Sequence, residues 1–197
     1  MSILDIHKDI TEQLDSYINE NKVPNIIFNG GSGSGKKTIV KNFLNKIYKT
    51  EEEKKKYLLV VDCIQSNGIK FIRDDLKFFS KSQINSIGFF KTVLLLNAGH
   101  LTIDAQSALR RCIEQFSNTT RFFIIIEDKS KLLKPLISRF CDIYIPYPNI
   151  NNKEINLYNY NKRTNVKFKQ YNLKRQTWIK KYFTDNKPEF SNISNIV

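Results

Sequence analysis

The sequence predicts an α/β domain with a mostly parallel sheet flanked by helices, and three observations carry that expectation. Residues 57–61, 92–96 and 121–126 are continuous apolar runs (Tyr-Leu-Leu-Val-Val, Thr-Val-Leu-Leu-Leu, Arg-Phe-Phe-Ile-Ile-Ile), which read as strands covered on both faces. Between them lie stretches whose apolar residues recur every three or four positions, the spacing of amphipathic helices. Finally, a short apolar segment at 24–28 runs into the glycine-rich stretch 29–38 and then into a helical pattern, so the first strand and helix meet through a tight turn.

Taken in order, residues 4–20 place Ile6, Ile10, Leu14 and Ile18 at four-residue steps, one buried stripe of a helix. The helix behind the glycine-rich stretch is expected to run from Lys36 to about Tyr48. Residues 50–56, Thr-Glu-Glu-Glu-Lys-Lys-Lys, read as a solvated charged loop. Helical spacing returns from Ile69 to about Lys81, through Ile72, Leu76 and Phe79. A helix from about Thr102 to Gln115, capped by Thr102 or Asp104, turns Ala105, Leu109, Cys112 and Ile113 to one side. Residues 132–136 predict a short helical connection and 142–146 a last strand. Alternating buried strands and helices predict a parallel sheet.

From Tyr147 the texture changes, and the expected division is a domain over 1–148 followed by a basic extension over 149–197. Asparagine supplies 10 of the residues from 151 onward, where apolar periodicity is lost. A helix over about 167–183 would carry Phe168, Tyr171, Leu173, Trp178 and Tyr182 among lysines. Such interleaving can clamp single-stranded nucleic acid, but packing of those aromatics against a core is the better expectation.

The chain carries 32 basic and 19 acidic residues, a net charge of +13. Residues 151–197 hold 10 of the basic and only 3 of the acidic ones. That bias favours polyanionic partners, nucleic acid first. No run of about 18 uncharged apolar residues is present, so no membrane span is expected. The first nine residues mix charge into every turn and lack the apolar centre of a signal peptide. Cys63, Cys112 and Cys141 are odd in number and widely spaced, which fits buried thiols in a reducing compartment rather than a disulfide framework.

The stretch Gly30, Gly31, Ser32, Gly33, Ser34, Gly35, Lys36, Lys37, Thr38 has the composition and the strand–helix setting of a phosphate-binding loop. Glycines let successive backbone N–H groups converge on a phosphate, and the following helix adds its positive end. Lys36 falls where the motif places the lysine that reaches the β- and γ-phosphates. The next position normally carries the Ser or Thr hydroxyl that ligates Mg²⁺, and here it is Lys37. An ammonium has no lone pair for a cation, and Thr38 lies roughly 100° further round the helix. ATP or ADP is the expected ligand; Mg²⁺ and efficient hydrolysis are not expected.

Two further stretches carry a family resemblance. One is residues 93–114, with Ala105-Gln106-Ser107-Ala108-Leu109-Arg110-Arg111 at its centre. The other is residues 120–140, with Thr120-Arg121-Phe122 and Lys131, Pro135, Ser138 and Arg139. With the phosphate loop they resemble a small subunit of replication factor C, the sliding-clamp loader, of the AAA+ class. The spelling Gly-Lys-Lys-Thr is similar to the small subunit whose own ATPase is weak or absent. The resemblance covers roughly residues 5–146. It implies a P-loop AAA+ core and a hetero-oligomer with sibling subunits. It also implies a sliding clamp and primed DNA as partners, at the intracellular site of DNA replication (nucleus, cytoplasm or viral factory). The family's helical lid and collar are expected to be reduced or replaced over 149–197. A composition rich in Lys, Asn and Ile suits an AT-rich genome such as that of a large DNA virus.

The departures are informative. Where active members carry an acidic pair, this chain has Asn97 and Ala98, followed by Gly99 and His100. Neither an amide nor a methyl group supplies charge to a metal or acts as a general base. His100 reads as an exposed turn residue. The family's polar sensor becomes Glu127. Arg139 is kept, and the resemblance implies that it serves in trans as an arginine finger for a neighbouring subunit's ATP. The expected function is therefore a clamp-loader small subunit that binds nucleotide with little or no hydrolysis of its own. The alternatives are an active DNA-dependent ATPase using Thr38 with Glu127 or Asp128, and a divergent interaction module.

Overall fold

The computed structural model describes residues 6–64, 74, 76–81, 90–150, 153–164 and 177. The described elements run α1 (Lys8–Asn19), β1 (Ile26–Asn29), α2 (Lys36–Ile47), α3 (Glu51–Tyr57), β2 (Leu58–Asp62) and α4 (Lys77–Lys81). They continue with β3 (Lys91–Leu96), α5 (Ile103–Phe116), β4 (Thr120–Ile126), α6 (Lys134–Ile137), β5 (Cys141–Tyr144), β6 (Asn149–Ile150), β7 (Lys153–Glu154) and α7 (Leu157–Thr164). Single 3₁₀ turns, Ala98–His100 and Lys129–Lys131, follow β3 and β4. The chain divides into one compact unit through Asn156 and a second from Leu157. Among the described residues, no helix is long and apolar enough to cross a membrane.

Five parallel strands form one sheet in the order β2-β3-β4-β1-β5. The period of two along each strand sorts the side chains onto two faces. Ile27, Val93, Leu95, Phe122, Ile124 and Ile126 pack into one core with Ala105, Leu109 and Ile113 of α5. Ile26, Phe28, Leu94, Phe123, Ile125 and Ile143 pack into the other, with Leu14 of α1 and Val40, Phe43 and Leu44 of α2. Phe123 is fully buried between Phe28 and Phe43, with ring centroids 6.1 and 5.6 Å away. Truncating so enclosed an aromatic costs about 3–5 kcal/mol.

Two expectations are corrected. Residues 51–57 form helix α3 rather than a loop. The Thr50 hydroxyl accepts from the Glu53 N–H and the Glu53 carboxylate accepts from the Thr50 N–H, a reciprocal cap. The acidic first turn and basic last turn of that helix also complement its dipole. Tyr57 ends α3 instead of opening a strand. The strand that follows, β2, lies at the sheet edge with Val60 52% exposed, so it is not covered on both faces. Thr102 caps α5 by accepting from the Ala105 N–H. The expected helix over 69–81 falls largely outside the described residues, α4 being its described end, and the one over 167–183 lies outside them apart from Thr177, which is helical.

Candidate functional site

In a parallel sheet the crevice beyond the carboxyl ends of the strands collects binding groups. Here β1 ends in Asn29, buried beneath the glycine-rich turn. Its amide donates to the Asp142 carboxylate and more weakly, at 3.5 Å, to Ile143 O, tying β1 to β5. Asp142 is in turn ion-paired with Lys129.

The turn itself requires glycine at three positions. Gly30, Gly33 and Gly35 have φ of 150°, 80° and 102°. A Cβ on Gly30 would also lie 2.2 Å from Ile145 O. The loop is fastened from outside. Tyr147 Oη donates to Ser32 O at 3.0 Å, Asn156 Nδ2 to the same carbonyl at 2.7 Å, and His7 Nε2 to Ser34 O at 3.0 Å. Lys36, the first residue of α2, is buried and folds back, its Nζ donating to Gly30 O at 2.6 Å and Gly31 O at 2.7 Å. Burial lowers its pKa; the Glu127 carboxylate opposes that shift and Lys37 adds to it. Among the described residues, the buried Ser34 Oγ has no hydrogen-bond partner. An orphan hydroxyl of this kind calls for an acceptor not contained in the chain itself. The loop thus offers a folded lysine, an unspent hydroxyl and the amino end of α2, the ingredients of an anion site.

The positions where the family resemblance places catalytic groups read differently. Asn97 follows β3 in a left-handed conformation, φ 55°, with Ala98 buried behind it. The Asn97 amide donates to Asp62 Oδ1 at 2.9 Å, and the Ile64 N–H donates to the same oxygen at 3.1 Å. Those two bonds, helped by the charges of Lys37 and His100, hold the Asp62 carboxyl below the ordinary value against a smaller desolvation effect. Lys37 and Thr38 are both exposed. Glu127 is exposed, and Asp128 spends its carboxylate capping the 3₁₀ turn through the Ser130 N–H and hydroxyl. The donors expected for Mg²⁺ are missing at two positions: residue 37 presents an ammonium, and residue 97, just after β3, an amide already bound to Asp62.

Arg139 lies after α6. Its guanidinium pairs with the Glu114 carboxylate and donates to Pro135 O and the Ser138 hydroxyl. Arg121, of the Thr-Arg-Phe segment, is structural: Nε donates to Val23 O at 2.6 Å and the guanidinium lies over Phe90.

Sequence reasoning missed the role of Gln106. Buried on α5, it donates to Leu101 O and Lys131 O, both at 3.1 Å, and accepts from the Leu133 N–H at 2.8 Å. It therefore fastens the turn after β3 to the segment that leads through α6 to Arg139. A polar residue on the apolar face of α5, one position from Ala105, was the available signal. Asp62 was missed too, although a carboxylate ending an otherwise apolar strand of a parallel sheet was visible.

No protein-family model matches the chain. Among curated proteins it is 36% identical over 138 residues to the replication factor C small subunit of Halobacterium salinarum. It is 34% identical over 132 residues to that of Sulfurisphaera tokodaii. These matches cover 70% and 67% of this chain but 42% and 40% of those relatives, so the chain spans less than half of their length. Among solved structures it resembles a DNA polymerase III gamma subunit-related protein of Thermotoga maritima, with a TM-score of 0.57 and 18% identity over 68% of this chain and 45% of that one. It also resembles the Thermotoga maritima RuvB Holliday junction branch migration motor, with a TM-score of 0.50 and 16% identity over 73% of this chain and 46% of that one. At such identities these two likenesses speak for the fold.

Proposed function

The chain is a relative of the small subunits of replication factor C and has the P-loop AAA+ fold, and from that premise we propose that it acts as a clamp-loader small subunit in DNA replication. It binds ATP or ADP in the loop 30–38, hydrolyses it little or not at all, and offers Arg139 to a neighbouring subunit's nucleotide. One observation carries this reading: a fully formed phosphate loop coexists with positions 97 and 98 that hold no acid. The loop has its three positive-φ glycines, its folded Lys36 and its orphan Ser34 hydroxyl. Asn97 and Ala98 supply neither a base nor negative charge.

In this reading, nucleotide entry moves the Lys36 ammonium from the carbonyls of Gly30 and Gly31 onto phosphate oxygens, a charge-assisted exchange. Ser34 Oγ then gains an acceptor. Without an acid at 97 or 98 no side chain in the turn after β3 takes a proton from an attacking water, so the bound nucleotide persists. Arg139 acts elsewhere, stabilising charge on a phosphate transferred in an adjoining site. The partners are sibling subunits, a ring-shaped clamp and primed DNA.

The test is Arg139→Ala within an assembled complex. Nucleotide affinity of this chain should stay unchanged, since the guanidinium is placed on the α5–α6 side, paired with Glu114. Turnover at the adjoining site should fall by at least about a hundredfold, within the range an arginine finger supplies. Unchanged turnover at that site would overturn the proposal. Lys36→Ala, by contrast, should weaken nucleotide binding by this chain itself.

A further inference from the structure

The first turn of α2 presents two lysines, and they are not equivalent. Lys36 is buried and already engaged with the carbonyls of Gly30 and Gly31. Lys37 is exposed, in the first turn of the helix that follows the glycine-rich loop. Across the same carboxyl edge, β2 and β3 end in register, Asp62 opposite Leu96. Asp62 Oδ1 there accepts the Asn97 amide at 2.9 Å and the Ile64 N–H at 3.1 Å. A fixed carboxylate thus stands beside the position from which the acidic pair is missing, and the Lys37 and His100 charges both act on it.

We infer that Lys37 is a built-in cation: placed in the first turn of α2 directly behind the glycine-rich loop, its ammonium supplies the positive charge beside the phosphates, and the loop takes nucleoside triphosphate in metal-free form. This rests on reading residues 30–38 as a phosphate loop. A triphosphate brings several negative charges to the amino end of α2, where the exposed Lys37 ammonium is free to turn to them. An ammonium donates three hydrogen bonds but opens no coordination site for water and lowers no water pKa, unlike a divalent ion. Charge neutralisation is kept while metal-assisted hydrolysis is lost. The substitutions at 37, 97 and 98 then form one change: a cation on the chain needs no acid on β3 to anchor a metal.

The experiment is titration of the full chain with fluorescent ATP, once in excess Mg²⁺ and once in EDTA. The wild type should bind in both, with affinities within about threefold, because the loop's positive charge is covalent. Lys37→Thr removes the ammonium and restores the hydroxyl. Its affinity in EDTA should fall about tenfold or more, and Mg²⁺ should recover part of the loss. Lys37→Met, which removes the charge and adds no ligand, should bind more weakly than wild type in both buffers. Residue 37 is exposed, so a thermal melt should show both variants folded. If EDTA weakens the wild type by tenfold or more, or if Lys37→Met binds as the wild type does in EDTA, the built-in cation is refuted while the phosphate loop stands. If ATP does not bind in either buffer, both fall together.

Discussion

Replacing Gln106 by alanine is the perturbation that probes how the fold carries the site. The side chain makes three hydrogen bonds from a buried position, to Leu101 O, Lys131 O and from the Leu133 N–H. Only the bond to Leu101 O is fully buried; the other two partners lie where water can reach them. Leaving one buried carbonyl unpaired costs about 1–3 kcal/mol, and each wet partner adds about 0.5–1 kcal/mol after rehydration. The expected loss is therefore about 2–5 kcal/mol, with about 3 kcal/mol the central value. At a urea dependence of about 2 kcal/mol per molar, that lowers the unfolding midpoint by about 1.5 M with an unchanged slope. Gln106→Glu should cost at least as much, because a carboxylate cannot donate to the two carbonyls. Gln13→Ala, which removes an exposed bond to Tyr17, is the control and should stay within about 0.5 kcal/mol. Far-UV circular dichroism across a urea series suffices. If Gln106→Ala unfolds within about 1 kcal/mol of wild type, the three bonds do not join the two segments as described.

Three further outcomes are expected. Burial pushes the Cys63 thiol up to about 12 from an ordinary 9.0, so its alkylation in the native protein at pH 8 should be about a thousandfold slower than that of an unperturbed thiol; labelling of Cys63 at the free-thiol rate before unfolding would contradict the packing. Asp62 has a depressed pKa, so its contribution to stability is present above the ordinary carboxylate range and is lost as pH falls through its folded value. Asp62→Asn should accordingly be less stable than wild type at neutral pH, with the gap closing below about pH 4; a gap that persists into acid would mean that charge is not what Asp62 contributes. Removing residues 151–197, with their 10 basic side chains, should flatten the salt dependence of duplex DNA binding, by about 0.9 in the log–log slope for each phosphate no longer neutralised. An unchanged slope would exclude the extension from DNA binding.

Much of the fold was legible because its signals are local and repeated. Continuous apolar runs marked β3 and β4 to within a residue, and Thr102 marked the start of α5, since burial on both faces and capping leave their mark in adjacent residues. The glycine turn was legible for the same reason: positive φ at Gly30, Gly33 and Gly35 demands a residue without Cβ. The chemical departures at Lys37, Asn97 and Ala98 needed only the sequence, because what an ammonium, an amide or a methyl group can do does not depend on the fold.

The tertiary structure decided what is set by distant partners. An apolar run does not reveal whether its strand is central or at an edge, and β2 proved to be an edge strand because the chain returns from it toward β1 through β3 and β4. The charge run at 50–56 became a helix over 51–57 because Thr50 and Glu53 satisfy each other's backbone and Tyr57 is buried against Tyr48. Residues 115 or more positions apart converge on the phosphate loop, where Tyr147 and Asn156 share Ser32 O. Asp62 meets Asn97, 35 residues away, only because parallel pairing aligns the ends of β2 and β3. Gln106 and Glu114 reach the segment that carries Arg139 only because α5 packs beside it, a proximity that arises from burying the apolar faces of both against the same side of the sheet.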